Sequence, residues 1–208
     1  MNATHSAQKR AYWLKTLHQW HWISSAICLL GMLLFAVTGL TLNNASRISA
    51  RPSITTRQAT LPTGLLTLAS QAATQDSPSL PSELDDWVRR ELDVGIADQQ
   101  TEWSEDEIYV SMPRPGGDAW LSIDLTNGAI EYETTNQGWI AYLNDLHKGR
   151  HTGVVWSWFI DLFAIACLIF SLTGLVLLHM HAGHRAATWP MVGLGIVIPV
   201  VLALLFIH

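Results

Sequence analysis

The chain has 208 residues, 49% of them hydrophobic and only 14% charged, against roughly 25% charge in an average soluble domain. Such apolarity excludes a disordered chain, and a net charge of -5 argues against a nucleic-acid binder. Cys28 and Cys167 both lie in long apolar runs, so the polar middle holds no disulfide framework and the two read as small packing residues.

In chain order, a short segment over 1–22 carries Lys9, Arg10 and Lys15 and leads into the uncharged run Ile23 to Leu42. Its twenty residues, at about 1.5 Å each, cross the roughly 30 Å hydrocarbon core of a bilayer as a helix. A removable signal has an apolar core of only about 7 to 15 residues, so a retained anchor is expected. The polar stretch 43–153 holds sixteen of the seventeen acidic residues. Its opening, 43–81, is rich in Ser, Thr, Ala and Pro and reads as a linker with one short helix near 64–74. Ser82, with Asp85 and Asp86 behind it, starts a helix over 83–92. Residues 107–112 alternate as a strand, Gly116-Gly117 marks a turn, and 119–125 with 129–133 flank Asn127-Gly128 as a hairpin. Two further apolar runs follow, 154–178, broken only by Asp161, and 190–207, which contains Pro199; a loop over 179–189 joins them. Trp20, Trp22, Trp156, Trp158 and Trp189 sit at the run ends like an interfacial belt. The fold class expected is therefore an integral membrane α-helical protein with three transmembrane helices and an inserted small α+β domain. Basic residues are balanced between the two faces, so orientation rests on the long polar insert, which is the part translocated; the chain start then lies inside.

Nine histidines are the unusual entry. His18 and His21 precede the first span, His147 and His151 the second, and His179, His181 and His184 follow the second. Antiparallel helices gather His18, His21 and that last cluster at one face, with His147, His151 and His208 at the other. Residues 151 and 179 are twenty-eight positions apart, about 42 Å along a helix, so two sites are expected, one per leaflet. His147, His151, Val154, Trp158 and Asp161 share one helical stripe, which points the lone carboxylate of the spans into the bundle toward a partner. Asp161 there would orient an imidazole, carry a proton or pair with an indole N–H. Each histidine is also explained as an amphipathic interfacial residue with a wet tip, and His5 carries no signal. Clustering at several helix ends favours metal or haem binding. His21, His151, His179 and His208 are the metal-ligand candidates. Apolar, aromatic and small neighbours suit a flat macrocycle better than zinc, which would bring Cys or carboxylate ligands. The cofactor expected is b-type haem, one or two copies, bis-histidine ligated, with His18, His21, His147, His151, His179, His181, Asp161 and Trp158 as its candidate surroundings. Gly31, Gly39 and Gly174 read as points of close helix contact.

An internal echo joins the two halves: Leu17-His18 with Thr38-Gly39-Leu40, and Leu146-His147 with Thr173-Gly174-Leu175. Inverted halves place equivalent sites at opposite faces. The entry Leu17-His18-Gln19-Trp20-His21-Trp22, the Arg114-Pro115-Gly116-Gly117 and Ile123-Asp124 elements, and above all Leu146-His147-Lys148-Gly149-Arg150-His151-Thr152-Gly153 leading to Trp158 and Asp161 resemble the PepSY-associated transmembrane helix family in a small form. That resemblance implies a bacterial inner-membrane protein with a periplasmic PepSY-like domain, related to haem-containing ferric-siderophore reductases, and His18, His21, His147 and His151 as haem ligands. The chain departs from the larger reductases in having one polar module and three spans, which leaves a homodimer as one way of completing a site. The function expected is transmembrane electron transfer to a periplasmic acceptor such as a ferric siderophore. No Gly-rich dinucleotide fingerprint occurs in the inner segments, so electrons would come from quinol or a cytoplasmic reductase. Two alternatives stand beside it: a membrane-anchored PepSY module that regulates or docks a periplasmic partner, and a histidine-based metal-handling protein.

Overall fold

A computed structural model describes residues 2–48, 51–75, 79–182 and 185–207; His184 and His208 lie outside them. The elements are α1 (Asn2–Asn43), a 3-10 turn at 45–47, β1 (Ser53–Thr60), α2 (Thr63–Ala73), α3 (Ser82–Leu92), β2 (Gln100–Trp103), β3 (Glu107–Ser111), β4 (Gly117–Asp124), β5 (Ala129–Asn136), α4 (Trp139–Lys148), α5 (Gly153–His181) and α6 (Thr188–Phe206). Three helical stretches, Gln8–Asn43, Gly153–His181 and Thr188–Phe206, are long and apolar enough to cross a membrane. The protein is thus a membrane-helical protein with a small sheet domain between its spans, as its hydropathy pattern requires. It divides into two compact units, 1–33 with 160–208, and 34–159.

In the first unit α1 and α5 pack through small side chains. Cys28 and Ser24 are buried there, and a Cβ on Gly31 would come within 2.3 Å of the Phe163 ring. Close approach of this kind holds helices together where lipid supplies no hydrophobic drive.

The second unit holds a five-stranded antiparallel sheet ordered β1-β5-β4-β3-β2. Alternation sets its inner face: Ile108 and Val110 of β3, Ala119, Leu121 and Ile123 of β4, and Ile130 and Tyr132 of β5 join Ala69, Leu84, Val88 and Leu92 of α2 and α3 in one core. The β4–β5 hairpin turns through 125–128, with Gly128 at φ +75 and the Gly128 N–H donating to the Asp124 carbonyl at 2.8 Å. Asp85 ties α3 down from within. Its Oδ1 accepts the backbone N–H of Ile96 at 2.6 Å and of Ala97 at 3.1 Å, and Oδ2 accepts from Arg89 at 2.9 Å. The Ile96 N–H above all holds the carboxyl below its ordinary range, with Arg89 adding to it.

The edge strand β1 and the start of α3 differ from the sequence expectation. The stretch taken as linker, 43–81, contains the whole of β1, which pairs with β5 along eight residues. It escaped notice because an edge strand exposed on nearly every side chain shows no apolar alternation; its Thr-rich composition was the signal available. Ser82 is the first residue of α3 and not its cap; Pro81 precedes the helix and its carbonyl takes the Leu84 N–H.

Candidate functional site

The two units each contain an imidazole seated on a Thr-Gly step of a neighbouring helix. In the first, His21 of α1 lies on α5. Its ring stacks on Phe170 with centroids 4.8 Å apart, its Nδ1 is 3.1 Å from Thr173 Oγ1 and 3.2 Å from the Phe170 carbonyl, and its Cε1 stands 3.0 Å from where a Cβ on Gly174 would be. In the second, His147 of α4 lies on the far end of α1. Its ring packs on Phe35 at 4.9 Å, its Nδ1 is 2.7 Å from Thr38 Oγ1, and its Cε1 is 3.6 Å from the Cβ position of Gly39. Phe-x-x-Thr-Gly-Leu therefore recurs at 35–40 and 170–175, each time with an imidazole on it.

The hydrogen bonds favour one arrangement in both seats. With the Thr38 hydroxyl proton given to the Leu34 carbonyl at 2.9 Å, and that of Thr173 to the Ile169 carbonyl at 2.7 Å, each hydroxyl oxygen is free to accept from its histidine Nδ1–H, which leaves Nε2 as the ring's other nitrogen. The Phe170 carbonyl, which can only accept, makes the same assignment for His21 independently. His18 and His181 follow suit, with Nδ1 against the Leu14 carbonyl at 2.9 Å and the Leu177 carbonyl at 2.8 Å. These two rings, from α1 and α5, face each other edge-on with centroids 5.9 Å apart and planes 88° apart.

Other expected residues are placed differently. His147 and His151 do not share a helical face. Gly149, left-handed at φ +68, ends α4, and α5 begins only at Gly153. His151 sits in that turn, exposed, itself at φ 55, with its Nε2 accepting from Arg150 Nε at 3.1 Å. The stripe from His147 to Asp161 is thereby broken. Asp161 is exposed on α5 and has no hydrogen bond or ion pair among the described residues, so it does not point into the bundle; Trp158 is 64% exposed. His179 packs edge-on against Trp189 of α6 at 5.5 Å. Among the described residues no three of the His, Cys, Asp and Glu side chains gather as a metal group, so His21, His151 and His179 are not brought together as one.

The sequence reading missed α4 as the element that delivers His147. It is held on the sheet module by Gly116, whose N–H donates to Asp145 Oδ2 at 2.8 Å and whose Cβ, if present, would lie 2.7 Å from Tyr142 Cα. With φ +73, Gly116 is confined to glycine on both counts. Toward α1, Thr41 Oγ1 donates to Asn144 Oδ1 at 2.8 Å, and toward α5, Trp156 Nε1 donates to the Leu146 carbonyl at 2.9 Å. Gly138-Trp139 and Gly149 were the available start and stop signals.

Apolar spanning helices, an inserted antiparallel sheet and imidazoles seated at helix ends define a membrane protein with an extramembrane module. The chain belongs to the PepSY_TM-like family, whose model matches residues 12–208. No curated protein and no solved structure matches it.

Proposed function

We propose that this protein is a b-type haem protein of the bacterial inner membrane that passes electrons from a cytoplasmic or quinol donor to a periplasmic acceptor, ferric iron in a siderophore being the acceptor class. The observation that carries this reading is the repeated seat, in which an imidazole is held through Nδ1 on a Thr-Gly step, so that Nε2 would be its ligand atom. The donor set fits a haem. A haem iron would take its protein ligands from imidazoles, and His18 and His181, with ring centroids 5.9 Å apart on α1 and α5, would be a pair able to hold it. When bound, the haem supplies one-electron chemistry. The chain's own part is to orient these imidazoles: Thr173 and the Phe170 carbonyl at His21, Thr38 at His147, and helix carbonyls at His18 and His181. Phe170 and Phe35 give each seat an apolar wall suited to a flat macrocycle. In this proposal the sheet module is periplasmic and the start of α1 cytoplasmic, and a haem at His147 would need a second imidazole from beyond that seat.

A second reading is supported by the sheet itself. Strands β1 and β2 are its free edges, and the face away from α2 and α3 presents the stacked Tyr109 and Trp120 beside Glu107 and Glu133. Such a surface suits a module that docks a partner protein by edge pairing.

Absorption spectroscopy of the purified protein separates the two. A Soret band with paired α/β bands that sharpen on dithionite is expected, and His21→Ala and His147→Ala should each remove part of it. A colourless preparation would leave the docking module as the reading to pursue; loss of all haem from either single substitution would end the two-site version.

A further inference from the structure

We infer that the cleft between α4 and the chain leaving α1 binds the phosphate headgroup of an acidic phospholipid, a role independent of any haem. The cleft encloses a cavity of about 410 Å³, lined among others by Leu42, Arg51, Trp139, Asn144, Lys148 and Arg150. Its charge runs against its surroundings. Between 43 and 153 there are eight basic and sixteen acidic residues, a net -8, yet three cations line this one cavity against the single carboxylate of Asp145, which already accepts the Gly116 N–H. Among the described residues none of the three cations is in an ion pair. Cations left uncompensated at one cavity, within an acidic domain, attract an anion.

The floor of the cleft adds a donor. Asn144 is only 7% exposed and lines the cavity; its Oδ1 is taken by Thr41, while its Nδ2 has no hydrogen-bond partner among the described residues. That amide is not sealed from solvent, so its N–H donors are open to an acceptor oxygen in the cavity.

Position and apolar lining favour a lipid over a free anion. Leu42 is the penultimate residue of α1, and Lys148 and Arg150 stand just before α5 opens at Gly153, so the cavity lies at the end of one span and the start of another, at headgroup depth. Trp139, 70% exposed, and Ile140 add apolar rim for the glycerol and upper acyl chain. Phosphate oxygens would take Arg51, Lys148, Arg150 and the Asn144 amide.

The test uses the purified full chain in a neutral detergent with short-chain phosphatidylglycerol, short-chain phosphatidylcholine or inorganic phosphate, read by native mass spectrometry. Phosphatidylglycerol should bind at one copy per chain, at least tenfold more tightly than phosphatidylcholine. The triple change Arg51→Gln, Lys148→Gln and Arg150→Gln should weaken it at least tenfold, while Arg90→Gln, on the outer face of α3, should not change it. The charge-keeping pair Arg51→Lys and Arg150→Lys should retain binding, which guards against a folding defect in the triple variant. Equal binding of both lipids, or an undiminished triple variant, would overturn the proposal. Displacement of the lipid by inorganic phosphate at matched concentration would overturn the lipid assignment and leave a free-anion site. None of these readouts requires haem, so failure here and failure of the electron-transfer proposal are told apart.

Discussion

Removing the hydroxyl beneath each imidazole tests the seats without disturbing the helices that carry them, because Thr→Val keeps shape and χ1 stiffness. In Thr38→Val the His147 Nδ1–H loses its acceptor at 2.7 Å, and among the described residues no second one is within hydrogen-bond distance. A half-buried donor left unpaired costs about 1–3 kcal/mol; alternatively the ring moves its proton to Nε2 and forfeits its ligand lone pair. Loss of such an outer partner typically weakens a metal site by about 10–100-fold, which is about 1.4–2.8 kcal/mol, so the two estimates agree. Thr173→Val should do less. His21 retains the Phe170 carbonyl at 3.2 Å as an acceptor, and the loss there is expected to stay below about tenfold. On the haem proposal, titration of haem into the purified protein, followed at the Soret band, would give both affinities, and the midpoint potentials would give a readout apart from affinity. Thr38→Ser should restore wild-type behaviour. An equal loss at the two positions, or no loss at Thr38, would refute the tautomer-locking role of the seats.

Gly116→Val adds a Cβ 2.7 Å from Tyr142 at a backbone φ of +73; it should lift α4 off the module, raising amide hydrogen exchange over 139–148 while leaving β3 and β4 protected. Asp85→Asn should destabilise the module by about 2–3 kcal/mol at neutral pH through loss of charged hydrogen bonds. Because folding lowers the Asp85 pKa, that contribution is complete above the unfolded value near 3.8 and vanishes as pH falls through the folded one. The difference in hydrogen exchange between variant and wild type over 84–97 should therefore begin to narrow below about pH 4 and close only under the folded value. Gly31→Leu drives a side chain into the Phe163 ring, 2.3 Å from the Cβ position, and should cost about 1–3 kcal/mol of overpacking in detergent unfolding assays.

The spans were legible because length and missing charge are sufficient for a helix in lipid, whatever it touches. The hairpin was legible because Asn127-Gly128 needs no tertiary context. Half of each imidazole seat was legible too. Thr38-Gly39-Leu40 and Thr173-Gly174-Leu175 stood out as an echo, but Phe35 and Phe170, one turn earlier, went unread because an aromatic in an apolar run carries no contrast. Spacing alone misled at 147–151. Four residues apart implies one helical face only if the helix continues, and Gly149 with Gly153 stops and restarts it. Asp161 exposes the limit of inferring burial from cost: a carboxylate in a span should be covered, yet within this chain it is exposed.

The insertion point of the sheet module follows from the second seat. His147 reaches Thr38 only because α4 is fixed at three points, to the module at Gly116, to α1 through Asn144 and Thr41, and to α5 through Leu146 and Trp156. An α4 of ten residues is too short to be a stable helix by itself in water, so its position is borrowed from these neighbours. His21 needs no such support, since it rises directly from α1, a helix of forty-two residues. The two seats thus differ in what supports them: one imidazole is delivered by a short helix held at three points, the other by a long continuous helix.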